Sequence, residues 1–545
     1  LLPERVAIYD TTLRDGTQRE GISLSVDDKL RIARRLDALG VSFIEAGWPG
    51  SNPKDAELFA RAKDEQWHTA KLTAFGATGR VGKPVEDDPS LNALLTAGTE
   101  AVALFGKSSL RHVREVLRTT DAENLRVIEE SVRFLRERNV RVIYDAEHFF
   151  DGFEEDQDYA LETLRAAARG GAEVLVLCDT NGGTLPWRVE EVVRAAAAVG
   201  RSLGIHTHND GECAVANALA AVRAGAVQVQ GTINGYGERC GNANLCALIP
   251  DLELKLKVRC LPDGGLKQLH EVAHFVAEVA NIAADEHMAY VGRSAFAHKG
   301  GVHVAAMRRS LGSYEHVDPE AVGNRSRFVV SELAGRATIL GKAEELGVQL
   351  GVGDEVAVLN ALKDAEAAGH AFEAAEASVA LRVRRRDKGY RPPFEPVDYR
   401  VISGEQTGDR AFSDATVKVR VDGQVFFTAA GGNGPVSALD AALRKALAPM
   451  FPLVERIKLV DYKVRILDGG RGTSATVRVL IDSSDGERRW ATVGAGTNII
   501  AASWQALVES IEFGLGPAAP KAHAARGSNL TNHGFSEELK QKEIA

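Results

Sequence analysis

A chain of 545 residues is too long for one typical hydrophobic core and predicts two or three domains. Its composition, 45% hydrophobic and 26% charged, is that of an ordinary globular protein, and a net charge of −9 gives no support to a nucleic-acid groove or a basic membrane-binding face. Five cysteines (Cys178, Cys213, Cys240, Cys246 and Cys260) lack paired close spacing, and neither a targeting run nor a membrane-length apolar stretch is seen, so a reduced cytoplasmic protein is expected.

In chain order, short apolar strands alternate with longer amphipathic segments through the first 250 residues. Strand candidates are 6–10, 42–47, 72–76, 101–106, 140–147, 172–180, 203–208 and 227–232. Stretches such as DKLRIARRLDALG and ENLRVIEESVRFLRERN between them have helical periodicity. Eight strands with eight crossover helices predict a TIM barrel, an α/β fold, over residues 1–255.

The polar residues fall where that fold builds a site. Arg14 and Asp15 follow strand one, Glu45 ends strand two, Glu147 ends strand five and Thr180 ends strand six. HTHND puts His206 and His208 at i and i+2 on one face of strand seven, and GERCGN supplies Asn242 beyond strand eight. Two imidazoles with a carboxylate and an amide oxygen form a divalent-metal set suited to Zn²⁺, Mn²⁺ or Mg²⁺.

Beside that set, Arg14 suits the holding of negative charge on a substrate oxygen, with a plain salt bridge as its other reading. Thr180 either caps a turn or holds a substrate carboxylate. Glu147 and Glu45 are site carboxylates or supporting ones, and Asp10 and Asp179 position Arg14 and the neighbouring loops. Cys240 lacks an activating base nearby, and GYGERCGN lacks dinucleotide-binding spacing.

A linker-like LPDGG then leads into a helical subdomain over 256–390, in which 270–282, 331–347 and one long segment over 358–386 read as helices. Its AFAHKGGVH loop offers His303 for proton transfer or as a surface residue. Tyr314 is an aromatic anchor or a hydroxyl donor. From 391 to 516 an internal repeat appears, with copies beginning at 415 and 475, each reading strand, turn, strand, Gly-rich turn, helix. Residues 517–545 are poor in apolar side chains and are expected to form a mobile tail.

At TTLRDGTQ, EAGWPGSNPKD, YDAEHFFDG, HTHND and GERCGN the chain resembles the 2-isopropylmalate, homocitrate and citramalate synthases, the condensing branch of the HMG-CoA-lyase-like barrels. GWPGSNPKD, AEHFFDG, AFAHKGGVH and YEHVDPE are most similar to its citramalate-forming members. The resemblance implies condensation of pyruvate with acetyl-CoA as co-substrate, then hydrolysis to citramalate and CoA, at the start of threonine-independent isoleucine synthesis. It implies Asp15, His206 and His208 as metal ligands, with Asn242 ligating or supporting them. It also implies Arg14 on the ketone oxygen, Thr180 on the keto-acid carboxylate, and Glu147, His303 and Tyr314 in proton transfer. Leu104 and Asp145, with Phe75, are placed near the keto-acid pocket. The C-terminal repeats are similar to the regulatory domain of these enzymes, implying an isoleucine effector and a homodimer. The alternatives are 2-ketoisovalerate as acceptor, as in 2-isopropylmalate synthase, and a noncatalytic metabolite sensor.

Overall fold

The computed structural model describes residues 2–310, 312–330, 334–406 and 410–516; the expected mobile tail at 517–545 lies outside the described residues. The described residues form two compact units, one comprising those within 2–298 and 310–327, the other those within 299–309 and 328–516.

The first unit is a closed eight-stranded parallel barrel. Its strands are β1 (Ala7–Asp10), β2 (Phe43–Gly47), β3 (Lys71–Ala77), β4 (Ala101–Lys107), β5 (Arg141–Glu147), β6 (Val174–Asp179), β7 (Ser202–Thr207) and β8 (Gln228–Gly231). Closure comes from β1 against β8, with Ala7 opposite Gln228 and Asp10 opposite Gly231. Both faces of each strand are buried, which explains the near-continuous apolar runs in the sequence. Period-two alternation sorts the side chains. Tyr9, Phe43, Phe75, Ala103, Ile143, Val176 and Cys178 form a cluster inside the barrel. Ile8, Ile44, Ala74, Val102, Leu104, Val142 and Leu175 belong to the layer shared with the helices.

Several of the crossover helices start on side-chain caps. Ser25 and Asp28 form a capping box at Val26–Leu39, Thr120 accepts the Glu123 N–H at Asp121–Arg136, and Asp156 accepts the Tyr159 N–H at Gln157–Gly170. These helices return the chain to the barrel's N-terminal end, so every strand delivers its following loop to the same C-terminal mouth.

In the second unit, helices Arg336–Glu345, Asp354–Ala367 and Glu376–Arg384 share a core of Ile339, Leu362, Phe372 and Val379. The single long helix expected over 358–386 is two helices. Gly369, at φ 107°, takes a left-handed turn between them, and a Cβ there would meet Leu467 Cδ1 at 2.7 Å. Apolar periodicity continues through the break, which is why the pattern alone hides it.

The internal repeat is present and longer than the sequence reading has it. Each copy is a three-stranded antiparallel sheet followed by a helix: Glu395–Gln406, Arg410–Val421, Gln424–Gly432 and Pro435–Leu447, then Lys458–Ile466, Val477–Ser484, Arg489–Gly496 and Ile499–Leu515. The leading strand of each copy escapes the sequence reading because much of it is exposed and charged, as in KLVDYKVRI. Among the described residues, no helix is long and apolar enough to cross a membrane.

Candidate metal centre and active-site mouth

Asp15, His206 and His208 come together at the C-terminal mouth of the barrel, all buried, each offering one ligand atom within 4.8 Å of the others. His206 Nε2 lies 3.3 Å from Asp15 Oδ2 and 3.3 Å from His208 Nε2. The alternation in HTHND does what the spacing predicts. His206 belongs to β7, and His208, one step beyond its end, bridges to Asn242.

The two Nε2 atoms and the Asp15 carboxylate thus face one common point, as converging ligand atoms do. Burial opposes the charge of His206, but Asp15 outweighs it and raises its pKa; burial and then the charge of His206 push His208 down to about 4. Burial would raise Asp15, yet the Arg14 guanidinium and His206 hold it well below the usual carboxylate range. Asn242 Nδ2 donates to Asp15 Oδ2 at 2.7 Å, and its buried Oδ1 has no hydrogen-bond partner among the described residues. Half a turn of that amide would add an oxygen donor to the set. The donor types, their convergence and the orphaned oxygen fit a divalent cation.

Arg14 is fixed on three sides. Its Nε donates to Glu45 Oε1 at 2.5 Å, its Nη1 lies 3.5 Å from Asp15 Oδ1, and its guanidinium sits 3.8 Å from the Phe75 ring centroid. Glu45, also held by Tyr9 Oη at 2.6 Å, is fully buried as the anchor of Arg14. Asp10 organises the same loop by accepting the N–H and hydroxyl of Thr12, both at 2.9 Å. Asp179 does so for Thr184, accepting its hydroxyl at 2.8 Å.

A cavity of about 200 Å³ opens at this mouth, bordered by Arg14, Asp15, Glu147, Thr180, His206 and His208. Thr180 Oγ1 accepts the His148 N–H at 2.8 Å, which leaves its own hydrogen to donate. Asp145 and Phe75 also border the cavity. Burial, then the nearby Glu45 charge, raise Asp145 to about 7. Leu104 does not border it. Alternation turns Leu104 into the helix-facing layer, and the next residue, Phe105, takes the place expected of it. Phe105 stacks on Phe75 with centroids 5.2 Å apart, and Trp48 meets both rings edge-on.

Glu147 forms an ion pair with Lys107, its neighbour in the β4–β5 register. Tyr314 is 47% exposed and is not on the cavity wall. His303 lies in the helix Gly301–Arg309 of the second unit, with its side chain exposed.

Sequence reasoning misses four contributors. Trp48 and Phe105 look like ordinary core aromatics. Arg239 donates to both Asp210 oxygens, at 2.7 and 2.9 Å, and to the Thr180 carbonyl at 2.7 Å, joining three loops. Gln230 is buried inside the barrel between His206 and Asp145. Its one signal is the polar–apolar alternation of VQVQGT, in a barrel whose other strands are mostly apolar.

The HMGL-like family matches residues 5–276, the homocitrate synthase post-HMGL domain-like family matches 290–370, and the LeuA allosteric (dimerisation) domain matches 373–515. The chain is 50% identical over 514 residues to an (R)-citramalate synthase of Geobacter sulfurreducens, covering 94% of this chain and 97% of that protein. It is 53% identical over 523 residues to an (R)-citramalate synthase of Synechocystis, covering 93% and 96%. With a probable 2-isopropylmalate synthase of Methanopyrus kandleri the identity is 32% over 515 residues, covering 94% and 98%.

Proposed function

Because the chain belongs to the (R)-citramalate synthase family, we propose that it condenses pyruvate with acetyl-CoA and hydrolyses the resulting thioester, releasing (R)-citramalate and CoA, as the first step of isoleucine synthesis that bypasses threonine. The observation that carries this reading is the convergence of Asp15, His206 and His208 with Arg14 and Thr180 on one cavity.

Asp15, His206 and His208 would hold the cation (Mn²⁺, Mg²⁺ or Zn²⁺), with Asn242 as a fourth donor or a support. A divalent metal supplies Lewis-acid polarisation of the keto-acid carbonyl. The rest falls to the chain's own groups. Arg14 is held by Glu45, so its remaining N–H groups are already aimed when negative charge develops on the ketone oxygen. Thr180, with its hydroxyl hydrogen left free to donate, binds the keto-acid carboxylate.

Glu147, His303 and Tyr314 are assigned to proton transfer: removal of a methyl proton from acetyl-CoA and activation of the water that cleaves the thioester. These three roles rest on the family resemblance. The aromatic wall of Trp48, Phe75 and Phe105 suits the single methyl group of pyruvate better than a branched side chain. We further assign isoleucine as the effector of the C-terminal repeats, a homodimer through that domain, and a cytoplasmic location.

The test is thiol release from acetyl-CoA by the Mn²⁺-loaded protein, with pyruvate, 2-ketoisovalerate and 2-oxoglutarate offered separately and the product mass measured. Pyruvate should be preferred and citramalate formed. A preference for 2-ketoisovalerate would make the chain a 2-isopropylmalate synthase, and no CoA release with any of the three would reject the condensation. Phe105→Ala should raise the use of 2-ketoisovalerate relative to pyruvate by about tenfold or more, since each methylene accommodated in such a pocket is worth roughly 1–3 kcal/mol.

A further inference from the structure

Gln230 is 1% exposed on β8, and both ends of its amide are engaged. Its Oε1 lies 2.8 Å from His206 Nδ1, and its Nε2 donates to Asp145 Oδ1 at 3.1 Å. A side-chain amide has one accepting end and one donating end. With the donating end committed to a carboxylate, the accepting end takes a hydrogen from His206 Nδ1. Nδ1 thereby keeps its hydrogen, and Nε2, which faces Asp15 and His208, is the nitrogen left to give its lone pair to a cation. Ring orientation and tautomer are set by the same hydrogen bond.

We propose that Gln230 is a positioning residue for the metal centre, holding His206 in the tautomer that presents Nε2, with Asp145 as the anchor that keeps the Gln230 amide from turning over. Asp145 also borders the substrate cavity, so one carboxylate serves the cavity wall and the ligand's orientation. The proposal rests on the metal reading of Asp15, His206 and His208. It gives a buried polar side chain of the barrel interior a task that hydrophobic filling would not require.

The same strand provides the control. Gln228 is equally buried, two residues earlier, and its Oε1 has no hydrogen-bond partner among the described residues. Nothing connects it to a ligand histidine. Gln230→Met and Gln228→Met each replace the amide with an unbranched side chain of similar length.

Mn²⁺ affinity is measured by calorimetry without either substrate, and the Co²⁺ absorption spectrum reports the ligand geometry. Gln230→Met is expected to bind Mn²⁺ about 10–100-fold more weakly and to change the Co²⁺ spectrum, while Gln228→Met stays within about twofold of wild type. Asp145→Ala leaves Gln230 in place but frees its amide, and it should weaken Mn²⁺ binding by about three- to tenfold. It also serves as the second reading should Gln230→Met fail to fold. Gln230→Met and Asp145→Ala both within about twofold of wild type would overturn the relay. A wild-type chain that takes up no Mn²⁺ would overturn the relay together with the metal centre.

Discussion

Single polar residues do much of the positioning in this barrel, and Asp37 shows how one carboxylate can be read for stability. It lies in the helix Val26–Leu39 and accepts N–H groups from the strand lead-in: His68 at 3.0 Å, and Thr69 and Ala70 at 2.8 Å each. Burial pushes its carboxyl up, but the N–H donors of Ala70, His68 and Thr69 outweigh burial and hold it below its ordinary value. A folded pKa below the unfolded one contributes stability above pH about 4, and that contribution is lost as pH falls through the folded value. Asp37→Asn should therefore lower the barrel's thermal midpoint at pH 7, by an amount corresponding to about 1–3 kcal/mol. The gap to wild type should shrink below pH about 4. Melting curves at pH 7 and pH 3.5 with an equal gap at both would show that the charge of Asp37 is not what matters.

At the scale of elements, the loop after β8 shows why glycines crowd beside Asn242. A Cβ on Gly237 would lie 1.9 Å from Asn242 Oδ1, so only glycine lets the backbone pass this close to that amide. Gly237→Ala should displace Asn242 and weaken Mn²⁺ binding about tenfold or more. Gly183, where a Cβ meets open space, supplies the comparison, and Gly183→Ala should bind Mn²⁺ as wild type does. Equal affinities in the two variants would remove Asn242 from the metal centre. Element patterns also explain why Leu104 is not on the cavity wall. Its side chain is apolar and its strand correctly located, but facing is decided by the odd–even count from the barrel interior, which selects Ala101, Ala103 and Phe105.

For the whole molecule, the two compact units carry separate cores. Val6, Leu36, Leu164 and Ile205 belong to the barrel's, and Val417, Leu443, Val479 and Ile511 to that of the repeats. Calorimetry should resolve two unfolding transitions, because cores of this kind melt as separate cooperative units. Mn²⁺ should raise only the barrel transition and isoleucine only the other, each by about 2.7 kcal/mol of stabilisation at one hundred times its dissociation constant. A single transition raised by both ligands would contradict this assignment.

The strands, the barrel and the residue types at its mouth were legible from sequence because each has a local signature. Buried parallel strands are apolar runs at regular intervals, and HTHND carries its alternation within three residues. The repeat was legible because its two copies resemble each other at a spacing of 60 residues. Tertiary structure alone decided the rest. Gln230 became part of the site by touching His206, 24 residues away, and Asp145, 85 residues away. Arg239 became a tie between loops by meeting the Thr180 carbonyl 59 residues away. Closing the barrel brings such distant residues within hydrogen-bond range, and no periodicity in the chain records which of them will meet.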